Sequence, residues 1–395
     1  MTGALDGVRV LDCGMLFAGP LAATMLADFG ADVIKVEHPR GDPLRNLGWQ
    51  KDGVSLWWAY LNRNKRYVSL NLSRPQGASL LKELVRDADV LVESFRPGRM
   101  EAWGIGYEQL RSVNRDLVML RTTGFGQTGP YKDRPGFGTV AEAMSGYAYT
   151  HGFPDGPPSL PSFALGDGVS GLYGAIATLA ALRHRETGGS GQFIDVSLVE
   201  PLFAFLGPQA LAYDQLGLVP ERSGNATSWT SPRNAFLTRD RKWVALSASS
   251  QSVAERLIRL VGRGDLIAEG WFADHEGRAA HTAELDEIIG GWIAQRTLAE
   301  VMASFEDAEA AVGPVYSIAD IFEDAYFQAR EAITSVEHPQ LGTVRTANVR
   351  PILSATPGRV RNFGGEVGED NRLVYVEALG HDDEELDAWR KDGVI

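Results

Sequence analysis

Residues 8–37 read VRVLDCGMLFAGPLAATMLADFGADVIKVE, and the succession of textures within them decides the fold class. VRVLDCG is a short apolar run of the kind a fully buried strand shows, PLAATMLADFG carries apolar residues at helical spacing, and ADVIKVE is a second strand. Pro20 suits a first helical turn, where its missing N–H is no loss, and Gly30 suits the C-terminal cap. Two such strands joined through a helix form a βαβ unit, whose strands run parallel. The pattern returns in YVSLNL (67–72), PQGASLLKELVRDA (75–88) and DVLVESF (89–95), and LVMLRTT (117–123) reads as a further strand. The expected fold class is therefore α/β, with a Rossmann-like, doubly wound large domain.

Further along, a long helix is expected from Asp167 to about Arg185, then the strand QFIDVSL (192–198) and an apolar helix to about Gly217. The texture changes at VPERSGNATSWTSPRNA (219–235), which is rich in Pro, Ser and Asn and reads as a linker. FLTRDRKWVALSASS (236–250) has the pattern of a hairpin turning at RDRK, and 251–325 is helical and acidic. We expect 1–218 to be the first part of the large domain, 236–328 a smaller α+β domain, and 329–395 a return that completes the large one. The tail from 368 has the periodicity of two docked helices.

With 44% hydrophobic and 23% charged residues, the chain has the composition of an ordinary globular enzyme. No apolar run reaches the roughly 18 residues of a membrane span, and residues 1–14 lack the basic start and cleavage site of a signal peptide. A cytoplasmic protein without a membrane partner is expected. Cys13 is the single cysteine, which excludes an intrachain disulfide framework and a cysteine-based zinc site; in its apolar run it reads as a small buried hydrophobe. The seven histidines never fall at metal-binding spacing, so no metal is expected. A net charge of −13 argues against a nucleic-acid partner. Residues 1–135 hold 18 Lys and Arg against 15 Asp and Glu, leaving 20 against 36 for the rest. A locally basic first third suits an anionic small ligand, although scattered surface charge would give the same tally.

Two stretches spell G-x-G-x-x-G. In GFGQTG (124–129) the motif runs into Pro130 rather than opening a helix. In LGDGVSG (165–171) it does precede a helix, but the segment before it is PPSLPSFAL, not a strand, and Asp167 would repel a phosphate inside the loop. Neither supports a nicotinamide site. Asp167 is then either a helix N-cap or a working carboxylate.

GVRVLDCGMLFAGPLAATMLADFGADVIKVEHPRGDPLR (7–45), NRNKRYVSLNL (62–72), VESFRPG (92–98), TTGFGQTGPYKDRPGF (122–137), GDGVSGLYGAIATLAALRHRETGGSGQFIDVSL (166–198), GPVYSIADIF (313–322) and the terminal DGVI follow one another in the order seen in class III CoA-transferases. The chain resembles this family, the group of formyl-CoA transferase and carnitine CoA-transferase, over nearly its whole length. The resemblance implies that CoA passes from an acyl-CoA thioester to a free carboxylic acid, with Asp167 as covalent nucleophile and a mixed anhydride as intermediate. Gly166 and Gly168 would leave room for the thioester, and the helix N-terminus would keep Asp167 ionised. It further implies CoA contacts from Leu16, Phe17 and Ala18 in the first βα turn, Leu72 and Arg74 after YVSLNL, and Ser94 and Phe95 in SFRPG. The family arginine that usually follows falls on Ala102, leaving Arg96 or Arg99 to supply that charge. Solvated surface charge is the plain alternative for these arginines and for the NRNKR run.

The family's flexible, often glycine-rich loop corresponds to SASSQS (247–252). Ser249, Ser250 and Gln251 would either hold the intermediate or simply start a helix. Family members form interlocked homodimers, and CoA and acyl-CoA are substrates rather than permanently bound cofactors. Two rival functions remain. The related α-methylacyl-CoA racemases pair the aspartate with a histidine, and here Phe137 stands at that position, an apolar ring that cannot exchange a proton. A catalytically silent CoA-binding module would be expected to lose the nucleophile. Trp57, Trp58, Tyr147 and Tyr149 suit either an aromatic substrate pocket or core packing.

Overall fold

The computed structural model describes residues 3–395. The chain divides into two units, the first made of Met1–Tyr147, Pro161–Gly207 and Gln328–Ile395, the second of Ala148–Leu160 and Pro208–Phe327.

The first unit is built on six parallel strands: β1 (Arg9–Cys13), β2 (Asp32–Glu37), β3 (Lys65–Ser69), β4 (Val90–Glu93), β5 (Val118–Thr123) and β6 (Phe193–Ser197). Their order is β3-β2-β1-β4-β5-β6, with Val10 opposite both Val33 and Val90. The central strands are largely apolar because both of their faces are covered, as parallel sheets require, with a few buried charges near their carboxyl ends. Val10, Val33, Val92 and Leu120 pack under α1 (Ala18–Asp28), whereas Leu11, Leu91 and Met119 pack under α2 (Pro75–Val85). The latter cluster also receives the C-terminal tail, a π-helical stretch Arg372–Ala378 and the helix Asp383–Lys391, through Val374, Tyr375, Leu386 and Trp389. Phe29 is the C-cap of α1, and Gly30 just beyond it takes φ 109°, the left-handed turn that ends the helix.

Three more helices shape the region at the strand ends: α3 (Arg99–Ala102), α4 (Gly138–Met144) and α5 (Leu165–Glu186), followed after β6 by α6 (Val199–Phe205). α5 lies close on α1 because its facing positions are small. A Cβ on Gly171 would stand 3.0 Å from the Ala18 carbonyl oxygen, and one on Gly174 would stand 3.0 Å from Leu120 Cδ2. Among the described residues α5 is the one helix long and apolar enough to cross a membrane, and half of that apolar stretch is buried within the protein. Leu172, Ile176 and Leu179 lie exposed along it.

The second unit has an antiparallel sheet of β7 (Arg233–Leu237), β8 (Trp243–Ser247) and β9 (Val312–Pro314) in the order β9-β8-β7. β7 and β8 form the expected hairpin, with Arg241 at φ 59° in its turn. Helices α7 (Gln251–Leu260), α8 (Thr282–Ala294) and α9 (Leu298–Asp307) close a core around Val244, Leu257, Ile289 and Phe305.

Candidate active site

The sheet order reverses direction between β1 and β4, and in open α/β sheets the crevice outside the strand carboxyl ends at that point is where ligands bind. A cavity of about 970 Å³ opens there within the first unit. Its walls are the turns after β1 (Met15–Gly19), β4 (Ser94–Pro97) and β5 (Thr123, Gly124), together with Phe137, Glu142, Asp167 and Leu198.

The turn after β1 is held from beneath by buried charges. Asp12 Oδ1 accepts from the Gly14 amide at 3.0 Å, and Lys35 Nζ donates to the Gly14 carbonyl. Lys35 also pairs with Asp42 at 3.3 Å, and Lys65 pairs with Asp12 at 2.8 Å; all four side chains are essentially inaccessible. Burial raises the proton affinity of Asp12, but Lys35 and Lys65 outweigh it and hold the carboxyl below its ordinary value. Burial pushes Lys65 down to about 8, against the pull of Asp12. The supported turn places Leu16 at φ 62°, a left-handed conformation unusual for a side chain of this size. Met15 N donates to Ser94 Oγ at 2.7 Å, which joins this turn to that after β4.

Glu93 organises the second turn in the same way. Its Oε2 accepts from the Phe95 amide at 2.6 Å and its Oε1 from Arg121 Nε at 2.7 Å, while Arg121 also grips Glu101 of α3 at 2.8 Å. Phe95 then stacks edge-on against Trp103, with centroids 5.1 Å apart. Arg96 and Arg99 stay exposed at the cavity without an ion-pair partner among the described residues.

Asp167 occupies the first turn of α5 but is not its cap. Ala164 holds the cap position and makes no side-chain bond there. Burial, and then the negative charge of Glu142, push the Asp167 carboxyl up to about 6. The carboxyl is still ionised at pH 7, but burial and a like charge leave it less acidic than a helix N-terminus alone would make it. The carboxylate lies over Gly138, where a Cβ would stand 2.2 Å from Asp167 Oδ2. A Cβ on Gly166 would come 3.0 Å from the Gly138 carbonyl oxygen, whereas the space beside Gly168 is open.

Of the residues singled out in the sequence, Leu16, Phe17, Ala18, Ser94, Phe95, Arg96, Arg99, Phe137 and Asp167 line this one cavity, as does Trp57. Leu72 and Arg74 lie outside its lining; Leu72 is buried in the core and Arg74 is exposed just before α2. Ser249, Ser250 and Gln251 belong to the second unit and have local duties there. Ser250 caps α7 through the Val253 amide, Ser249 Oγ meets Ser247 Oγ at 3.0 Å, and Gln251 bonds Arg278 and Glu255. The NRNKR run is not in the cavity lining: Arg63 and Lys65 are buried against Asp28 (2.7 Å) and Asp12, while Arg66 makes a partly exposed pair with Asp32 at 2.6 Å. Trp58 is a core residue beneath Arg45, and Tyr147 and Tyr149 do not line the cavity. Cys13 is buried, as its apolar run predicts.

Sequence reasoning overlooked Glu142, Lys132 and Arg134, which all line the cavity. The signal was present in KDRPGFGTVAEAMSG (132–146), where one acid interrupts the small and apolar residues of a short helix.

Fold and site together define a doubly wound α/β protein with a carboxylate lining a switch-point cavity large enough for a nucleotide-sized ligand. Residues 5–371 match CoA-transferase family III, and the chain belongs to that family. It is 39% identical over 393 residues to a succinyl-CoA–D-citramalate CoA-transferase of Chloroflexus aurantiacus, covering 99% of this chain and 98% of the relative. It is 43% identical to the β subunit of the same organism's succinyl-CoA–L-malate CoA-transferase, with the same coverage. A solved CAIB/BAIF family protein from Brucella suis superposes with a TM-score of 0.84 at 30% identity, over 95% of this chain and all of the other. The protein is thus a family III CoA-transferase, an enzyme whose substrates are CoA thioesters.

Proposed function

We propose that this enzyme moves CoA from a donor such as succinyl-CoA to a short dicarboxylic acid, through a mixed anhydride on Asp167. The observation that carries the reading is the Asp167 carboxylate in the first turn of α5, in a cavity that no histidine lines. Relatives named for D-citramalate, L-malate and glutarate as partners of succinyl-CoA or succinate point to the substrate class.

In the proposed sequence an Asp167 oxygen attacks the thioester carbonyl, the C–S bond breaks, and CoA leaves as its thiolate. The acceptor carboxylate attacks the Asp167 carbonyl of the anhydride and releases the donor acid. The thiolate then attacks the acceptor's carbonyl in the second anhydride and regenerates the Asp167 carboxylate, so no net proton or water is consumed. The phosphates of CoA are assigned to Arg96, Arg99, Lys132 and Arg134 and to the N-terminus of α1, with Leu16, Phe17, Ala18, Ser94 and Phe95 along its stem. Arg74, exposed outside the cavity, and Leu72 would mark the adenosine end. Phe137 offers no proton, which favours transfer over racemisation.

The functional assembly is proposed to be a homodimer in the cytoplasm. Its support is the family pattern, relatives named as α and β subunits, and the exposed apolar side chains of α5 and of Phe203 and Phe205 on α6.

The test is chemical. Incubation with succinyl-CoA followed by hydroxylamine should convert Asp167 alone to a hydroxamate, read as a mass change on its peptide. Asp167→Asn should abolish transfer through kcat while CoA still binds. Full transfer by that variant, with deamidation excluded by mass, would refute the assignment.

A further inference from the structure

Glu142 is almost fully enclosed, at 3% exposure, yet it makes no ion pair among the described residues. It sits on α4 one turn beyond Gly138, the residue over which the Asp167 carboxylate lies. Its Oε1 accepts from the Gly166 amide at 3.1 Å. That amide belongs to the first turn of α5, where the cap residue Ala164 offers no side-chain acceptor. Glu142 therefore takes up one of the free amides that would otherwise favour an anion at Asp167, and it adds an anion of its own.

The charged groups on the other packed elements are engaged elsewhere. Asp28 of α1 is held by Arg63, Arg121 of β5 by Glu93 and Glu101, Asp195 of β6 by the Gln127 amide, and Glu200 of α6 by Ser197. Lys132, Arg134, Arg96 and Arg99 share the cavity but are solvent-exposed. Beside burial, Glu142 is the one charge that raises the Asp167 carboxyl.

We propose that Glu142 is a positioning residue for the nucleophile: its carboxylate fixes the first turn of α5 through Gly166 and sets a like charge against Asp167 that acylation relieves. The inference rests on the anhydride reading. When Asp167 attacks the donor carbonyl, one C–O bond forms, the C–S bond breaks, and the negative charge departs with the thiolate. No proton moves, so Glu142 has no acid–base duty. Repulsion present in the free enzyme and absent from the neutral anhydride lowers the barrier to acylation, because it destabilises the ground state more than the transition state.

Glu142→Gln separates the two roles, since its amide oxygen still accepts from Gly166 and only the charge is lost. In single-turnover release of CoA thiol from succinyl-CoA at pH 8, E142Q should acylate roughly 5- to 20-fold more slowly. Its KM should stay within about twofold, and the acid limb of its rate profile should move to lower pH. An unchanged rate with an unmoved limb would make Glu142 a helix cap and nothing more. A thermal double-mutant cycle gives an independent reading. Asp167→Asn should raise Tm in the otherwise natural enzyme and raise it less in an E142Q background; equal effects in both would overturn the pairing. If the natural enzyme yields no hydroxamate on Asp167, the anhydride reading fails, and the cycle then decides the charge pairing alone.

Discussion

At the residue scale the ionisation of Asp167 bears on stability and, on the proposed anhydride reading, on rate as well. An acid whose folded pKa is raised, here from 3.8 to about 6, binds its proton more tightly in the native state than in the unfolded chain. Between those values the unfolded chain is deprotonated while the native one is not, so stability falls as pH rises from about 4 to about 6. Full burial would make this about 3 kcal/mol, and the water of the cavity lowers it to about 1 to 2 kcal/mol. Asp167→Asn should remove this dependence and raise Tm at pH 7, as scanning calorimetry across pH would show. On the proposed reading protonation removes Asp167 as nucleophile, so kcat/KM should fall through an apparent pKa near 6. Gly138 offers a sharper steric test. Its φ is not in the left-handed region, so alanine suits the backbone, but the new Cβ would stand 2.2 Å from Asp167 Oδ2. Gly138→Ala should cost roughly 100-fold in kcat by displacing the carboxylate, with CoA affinity retained. Equal kcat for variant and natural enzyme would show that the carboxylate has freedom to move.

At the element scale the glycines of LGDGVSGLYG are packing residues. Gly171 and Gly174 let α5 settle on α1 and β5, and this docking sets where the first turn of α5 meets the cavity. Gly171→Val should destabilise the fold by about 1 to 3 kcal/mol, since its first carbon already meets the Ala18 carbonyl and the rest has nowhere to go. Urea denaturation measures it. The group of Asp12 on β1, Lys35 on β2 and Lys65 on β3, beneath the turn after β1, is of the same kind. Asp12→Asn leaves Lys35 and Lys65 buried with half their compensation and should cost about 3 to 5 kcal/mol. The strands and α1 were legible because alternating apolar runs and cap residues are local signals; YVSLNL was displaced, the observed β3 being Lys65–Ser69, because burial of Lys65 against Asp12 extends the strand backwards into a charged run. The NRNKR cluster was unreadable for the same reason, since no local rule shows that a lysine's partner lies 53 residues away.

At the scale of the whole molecule, four exposed cations line one cavity in a chain of net charge −13, and on the proposed assignment of the CoA phosphates they would make binding sensitive to ionic strength. Affinity for CoA should fall steadily between 20 mM and 500 mM salt in a calorimetric titration, and a flat response would place the phosphates elsewhere. Light scattering over a dilution series should return a dimer throughout; a stable active monomer would show that the apolar face of α5 needs no cover. By itself the sequence determined the parallel α/β class, the order of its units of strand and helix, the family, and Asp167 as the residue to watch, because these depend on local periodicity and on motifs read along the chain. Only the tertiary structure decided that Glu142 shares the cavity with Asp167 and binds the neighbouring Gly166 amide, that Lys132 and Arg134 join Arg96 and Arg99, and that burial and the Glu142 charge raise the Asp167 carboxyl to about 6. Those outcomes depend on burial and on charges brought together from distant positions, and the electrostatics of a site is a property of distances in space, which spacing along a chain does not contain.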